Sequence, residues 1–416
     1  MSSSDSNLAG YFEEEYERDV SLYLHIPFCK RRCLYCDFVT VSGKNHLIPS
    51  YLDALEKEIQ EAASALPSYA RVHTIYFGGG TPSLLPANLT VKLLDQIRSL
   101  FPVQEEMEIT LEMNPGTLQL GFLEGLRETG VNRLSIGLQS AIDSELRSLG
   151  RIHNFNQFLE TFASARKLGF ENISVDLIYG IPGQTVDSWS VTLKKCLELE
   201  PSHLSLYSLN IEEETPFGRM VAEGALELPD GDLMADMYEY ATDKLAERSF
   251  EQYEISNWAS RKPDGSIHPS LHNLQYWRNL PYLGFGTGAH GSAGGVRTSN
   301  TTQIEDYLQR AASGEKKPYP LGFASSEWQA IDKFERMQET MMLGLRLTEE
   351  GLSEVEFARR YREDMRVIFG PELAKLENEG LLETLNDDRK TIRLTRRGRL
   401  LGNRVFMSFV GDPESK

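Results

Sequence analysis

From residue 20 to about 210 the chain alternates short apolar runs with amphipathic stretches of helical period. Few plans satisfy that alternation other than βα units around a parallel sheet. The runs read as strands are Ser21 to Ile26, Val72 to Phe77, Met107 to Glu112, Arg133 to Gly137, Ile173 to Ile178 and His203 to Leu206. Helical patterns fill the gaps at Pro49 to Ala65, Leu89 to Phe101, Leu118 to Glu128, Phe155 to Leu168 and Ser188 to Glu198. Six units predict an α/β fold, an open, partial (β/α)6 TIM-like barrel rather than the closed eight-unit form. In such folds the working residues gather at the C-terminal ends of the strands.

Strand after strand meets that rule. A cysteine loop follows the first, Gly78-Gly79-Gly80-Thr81-Pro82 the second, and Glu112 with Asn114-Pro115 ends the third. Gln139 lies just past the fourth, and Asp176 with the Tyr179-Gly180-Ile181-Pro182-Gly183 turn closes the fifth. Consecutive glycines let backbone approach a ligand closely, since nothing projects from Cα. Alone, such a turn is as often a tight bend as a binding loop; one unit after the cysteines, it favours a ligand.

Cys29, Cys33 and Cys36 stand as C-x3-C-x2-C directly after the apolar stretch Leu22 to Pro27. Three thiolates on one turn can hold three irons of a [4Fe-4S] cluster and leave the fourth iron open to a small molecule. Zinc usually asks for a second cysteine pair or added histidines at short spacing, and no second pair follows Cys36. Disulfides fit poorly with an acidic chain of four cysteines and no secretory leader, which reads as cytoplasmic. Cys196, in a helical pattern beside Leu193 and Leu197, is most simply a buried small hydrophobe.

At 416 residues, with 40% hydrophobic and 25% charged composition, the chain suits a protein of two or three domains. Its net charge of -18 argues against nonspecific nucleic-acid binding. No apolar run reaches the roughly 18 residues of a spanning helix. Composition predicts an acidic N-terminal tail over 1–19, the barrel over 20–210, an extension over 211–324, a C-terminal domain over 325–410 and a short tail over 411–416.

The cysteine loop after a first strand, followed by GGGTP after the second, resembles the radical S-adenosylmethionine (SAM) superfamily. More narrowly, Tyr23-Leu24-His25-Ile26-Pro27-Phe28-Cys29 is similar to the branch containing oxygen-independent coproporphyrinogen III dehydrogenase and its heme chaperone relatives. The resemblance implies that SAM chelates the open iron and that Tyr23, Tyr35, Gly79, Gly80, Thr81, Glu112, Gln139, Arg151 and Asp176 surround it. The chemistry suits these residues, because carboxylates bond an ammonium or ribose hydroxyls and an arginine fork takes a carboxylate. In the dehydrogenase-like members a further cysteine follows the third after one residue, and a longer arm precedes the cluster. Here Asp37-Phe38 follows Cys36, and 28 residues precede Cys29.

His272-Asn273-Leu274-Gln275-Tyr276-Trp277 matches the H-N-x-x-Y-W motif of the heme chaperones. A histidine can ligate heme iron, and a Tyr-Trp pair can cover a porphyrin face. Without the family, the residues read more simply as a satisfied polar histidine beside two core anchors. With it, His272 is the expected heme ligand, with Tyr276 and Trp277 as face contacts. His290, on the Gly286 to Gly291 turn, is another candidate ligand, read more simply as a turn residue near the cofactor. His25 is expected to be a hydrogen-bonding residue of the barrel.

Beyond about 325 the texture turns helical, with Glu327 to Leu345, Leu352 to Tyr361 and Pro371 to Asn378, then a strand-like Thr391 to Thr395 and a helix Arg396 to Phe406. This resembles a small winged-helix domain. Arg389, Lys390, Arg393, Arg396, Arg397, Arg399 and Arg404 form a basic run, but the acidic balance of the chain favours a lid or an acceptor-docking surface over DNA. Two functions follow from the resemblance. A heme chaperone would pass heme to an acceptor protein, with the cluster and SAM supporting homodimerisation or transfer. A radical enzyme would cleave SAM and abstract hydrogen from a tetrapyrrole. The missing extra cysteine, the short N-terminus and the H-N-x-x-Y-W match favour the chaperone.

Overall fold

The computed structural model describes residues 14–117, 121–227 and 230–411. Most of the expected acidic tail, the last residues of the chain and the expected helix start at Leu118 lie outside them. The six anticipated strands are present as Asp19–Ile26, Arg71–Gly79, Val103–Met113, Arg133–Gln139, Asn172–Tyr179 and His203–Ser208, paired in parallel in that order. Their apolar residues are buried almost continuously, as expected of strands covered on both faces.

The sheet continues past both ends of this series. A seventh parallel strand, Tyr282–Phe285, pairs with Asp19–Ile26 from the far side. Antiparallel strands His290–Ala293, Val296–Asn300 and Ser325–Ala330 extend that edge, and Asn257–Ser260 with Phe250–Glu254 extends the other, giving twelve strands in one sheet. The helices Ile48–Ala65, Ala87–Leu100, Phe155–Lys167 and Val186–Leu197 bury leucine, isoleucine and aromatic side chains against it. Asn154 and Thr185 start the last two with reciprocal capping boxes, satisfying backbone donors that a helix start leaves open.

A separate core unites the C-terminal residues Met337 to Phe409. It holds helices Lys333–Gly344, Glu354–Tyr361 and Met365–Asn378 against a three-stranded antiparallel sheet, with Leu382–Thr384 and Thr391–Leu394 as its hairpin. The stretch from Glu327, expected to be helical, instead begins as the edge strand Ser325–Ala330; the helix starts only after Asp332, whose side chain caps it. Leu352 likewise belongs to a short strand, and the third helix bends at Phe369 just before Pro371, whose ring cannot continue the ladder. Arg393, Arg396, Arg399 and Arg404 of the basic run are paired with carboxylates. The two cores are tied by the buried Glu17–Arg336 ion pair at 2.8 Å and by Arg278–Glu350. Among the described residues no helix is long and apolar enough to cross a membrane.

Candidate functional site

The loop after the first strand is fixed from below by its one leucine. Leu34 packs with Leu149, Ile178 and Phe217, its N–H donates to the Leu149 carbonyl, and its own carbonyl accepts from Phe217. The three cysteines are thereby held on one side of the turn, facing a cavity of roughly 390 Å³. Cys29 is buried beside the Thr81 hydroxyl at 3.6 Å, and Arg151 Nη1 lies 3.6 Å from Cys33 Sγ. Arg32 forks the Cys36 carbonyl at 3.1 and 2.9 Å. Burial pushes the Cys36 thiol up to about 11 and raises that of Cys29. Iron would therefore have to displace protons from these thiols on binding. Among the described residues no three His, Cys, Asp or Glu side chains converge on one point as ligands of a single ion would. A cubane asks for one thiolate per iron instead.

The same cavity is lined by Tyr35, Gly79, Gly80, Thr81, Glu112, Gln139, Arg151 and Asp176. The structure thus brings together every residue expected around SAM except Tyr23. Gly80 packs on the first loop so closely that a Cβ would stand 2.8 Å from the Pro27 and Phe28 backbone, and Gly79, at φ 106°, would drive one into His25. Glu112 accepts from Tyr76 Oη at 2.8 Å and from the Gly79 N–H at 3.2 Å. It opens to the cavity yet lies deep in the protein, and burial pushes its carboxyl up to about 7. Asp176, held by Ser135 at 2.9 Å and by Ser174, is raised for the same reason. Arg151 donates to Asn114 Oδ1 and to the Gly137 carbonyl, with its Nε buried and unpartnered.

Sequence reasoning missed Arg133, Ser135 and Ser205, which line this cavity. Glu112 pairs in register with Ser135, and Asp176 with Ser205, so polar residues recur across neighbouring strands in two adjacent rows. Those cross-strand rows were the available signal, hidden because register is not visible in a single chain.

Tyr23 lines a second cavity of about 530 Å³, on the other side of the cluster loop. Tyr276, Trp277, Tyr282, Phe38 and His290 share its wall, and Asp37 and Phe38 border both cavities. The helix Leu271–Trp277 supplies the first two; its start is capped by Ser270 and by Glu108, which accepts from the Leu271 and His272 N–H groups. His272 departs from the expected ligand placement. It is 1% exposed, its Nδ1 is 2.8 Å from Thr74 Oγ1, and its Nε2 is 2.8 Å from Tyr276 Oη. Its ring stacks on Tyr76 at 4.9 Å, and burial lowers its basicity to about 3. This is the satisfied core histidine of the simpler reading. His25 bonds the Val39 carbonyl and Tyr23 Oη, as a barrel residue should.

This geometry, a glycine-lined polar rim above a three-cysteine loop on a parallel sheet, defines a radical SAM protein. Residues 23–196 match the model of the Radical SAM superfamily, and residues 331–401 that of the HemN C-terminal domain. The chain belongs, within that superfamily, to the family of heme chaperone HemW. It is 39% identical to heme chaperone HemW of Bacillus subtilis (strain 168), over 94% of this chain and 99% of that one. It is also 35% identical to the radical S-adenosyl methionine domain-containing protein 1, mitochondrial, of Bos taurus, over 87% and 81%. The structure of coproporphyrinogen III oxidase (HemN) from Escherichia coli, described as a radical SAM enzyme, superposes with a TM-score of 0.79 at 25% identity, covering 97% of this chain and 92% of that one. The family implies a [4Fe-4S] cluster and SAM, and the first cavity fits both in the chemistry of its donors.

Proposed function

We propose that the protein is a heme chaperone, binding heme as cargo in the second cavity and handing it to an acceptor protein. The observation that carries this reading is the cavity itself: a space with Tyr23, Phe38 and Tyr282 on its wall, separate from the cavity of the cysteines, to which the H-N-x-x-Y-W helix adds Tyr276 and Trp277. Broad rings with two faces of this kind suit a flat, apolar macrocycle.

In the first cavity Cys29, Cys33 and Cys36 would hold the cluster. Glu112 would meet an ammonium, Asp176 ribose hydroxyls and Arg151 a carboxylate, with Gly79, Gly80, Thr81, Gln139 and Tyr35 shaping the space and Tyr23 behind them. When bound, a cluster with an open iron supplies a chelation point for the amine and carboxylate of SAM, and an electron. Arg151 keeps its charge beside Cys33 and anchors Asn114, fixing the distance between cysteine loop and rim. A domain limit near 325 belongs to the same proposal and is supported by the two cores; a limit near 210, a homodimer and a cytoplasmic location are part of it too, though the first core runs on past 210. The second reading, a radical enzyme acting on a tetrapyrrole, is favoured by one observation: Glu112, Gln139, Arg151 and Asp176 line one cavity with the three cysteines.

One experiment separates the two. Protein reconstituted anaerobically with iron and sulfide is titrated with heme, mixed with apomyoglobin as acceptor, and separately incubated with SAM, reductant and coproporphyrinogen III. Heme binding and transfer with the coproporphyrinogen unconsumed is the expected result. Formation of protoporphyrinogen overturns the chaperone reading.

A further inference from the structure

We infer that His290, rather than His272, is the protein's ligand to heme iron in the second cavity. The inference rests on the proposal that this cavity holds heme. Three histidines stand near it, and they differ in what their ring nitrogens are doing. Both nitrogens of His272 are occupied by Thr74 and Tyr276, and both of His25 by Val39 and Tyr23. Ligation by either would break a buried or half-buried hydrogen bond and strand its partner before any iron bond forms. His290 is exposed, lines the cavity, and its ring makes no hydrogen bond among the described residues. A ligating imidazole needs one uncommitted nitrogen beside open space, and this ring, on the cavity wall, has no hydrogen-bond partner on either nitrogen among the described residues.

The backbone that presents His290 is held firmly. The preceding turn runs through Gly286 at φ 95° and Gly288 at φ 68°, and a Cβ on Gly288 would stand 2.6 Å from Val39. The Gly286 N–H donates to the buried carboxyl of Glu58 at 2.8 Å, and the Thr287 N–H to Tyr51 Oη at 3.0 Å. Glu58 is itself clamped by Asn300 and Tyr307, both at 2.8 Å. The ligand is thus carried on a pre-formed turn, so little ordering is needed on binding. Tyr276 and Trp277 line the same cavity and offer ring surface for the macrocycle, one face of Trp277 being covered by Arg346. Arg297, paired with Glu339, is the one arginine or lysine among the residues described at this wall, and it suits a propionate.

The test is a titration of reconstituted protein with heme and, in parallel, with metal-free protoporphyrin IX, read by absorbance and by resonance Raman of the iron–histidine mode. Wild type, His290→Ala, His290→Gln and His272→Ala are compared, with circular dichroism to confirm folding. We expect both His290 variants to lose the iron–histidine mode and to bind heme at least about tenfold more weakly, the equivalent of 1.4 kcal/mol. Added imidazole should restore the heme spectrum, and metal-free porphyrin should bind as to wild type. Heme spectra unchanged in His290→Gln, or lost in folded His272→Ala alone, overturn the assignment while the heme reading stands. Failure of wild type to bind heme overturns both.

Discussion

The two cavities on either side of the cysteine loop are built on opposite plans. The first collects polar groups or bare backbone from the ends of the six strands from Asp19–Ile26 to His203–Ser208, so its donors come from many elements and line one volume. The second is walled by aromatic rings from segments far apart in sequence, and it has few polar groups that are not already engaged. The lesson is about division of labour. On the proposed reading, a cofactor that must be chelated is met by strand ends, whose positions the sheet fixes, whereas a flat cargo is met by side chains that pack, with the His290 ring left over to hold it.

Substitutions can break or sharpen that contrast. The largest effect should come from Cys33→Ser, which removes a thiolate. Iron and sulfide analysis should show loss of most of the about four irons per chain, while an unchanged content would break the account of the first cavity. Next is Glu112→Gln, read by calorimetric titration with SAM across pH 6 to 8. Burial holds the Glu112 carboxyl at about 7, up from 4.5, so it takes a proton as pH falls through 7 and loses its pull on an ammonium. SAM affinity should therefore weaken toward low pH in the wild type and be flat in the variant. The same shift has the opposite sign for stability. The folded state binds the extra proton between 4.5 and 7, so that carboxyl's contribution falls as pH rises through that window, and Glu112→Gln removes that slope from the melting temperature. The smallest effect should be that of Tyr276→Phe. It strips His272 Nε2 of its partner at a cost of about 1 kcal/mol in chemical denaturation, and it should leave the heme spectrum in place. A changed spectrum would place the tyrosine hydroxyl, and not only its ring, in the cavity's work.

The first cavity was largely legible because strand ends are marked in sequence: an apolar run stops, and a cysteine, glycine triplet, glutamate or aspartate follows. Arg133 and Ser135 escaped because they sit within a strand that reads as ordinary, and only register reveals their level. The seventh parallel strand escaped for a related reason. Tyr282–Phe285 has four residues, and its partner Asp19–Ile26 lies some 260 positions earlier, too distant for any local pattern. The helix from Glu327 was overextended because Ser325–Ala330 is an edge strand, mostly exposed and so without the apolar alternation that marks a strand. His272 shows a different limit. Residue type and motif said histidine near a ligand, but whether a ring nitrogen is free depends on Thr74 and Tyr276, and the first of these comes from a strand 198 residues away.

Asp37 and Phe38, the two residues that stand after the third cysteine, form a partition common to both cavities. A partition touched from both sides is a place where the two occupancies can be thermodynamically linked. Whatever free energy one ligand spends on setting the loop is credited to, or withheld from, the other by an equal factor in each direction. In such an arrangement the iron-sulfur side can govern how tightly a neighbour is held without exchanging an atom with it.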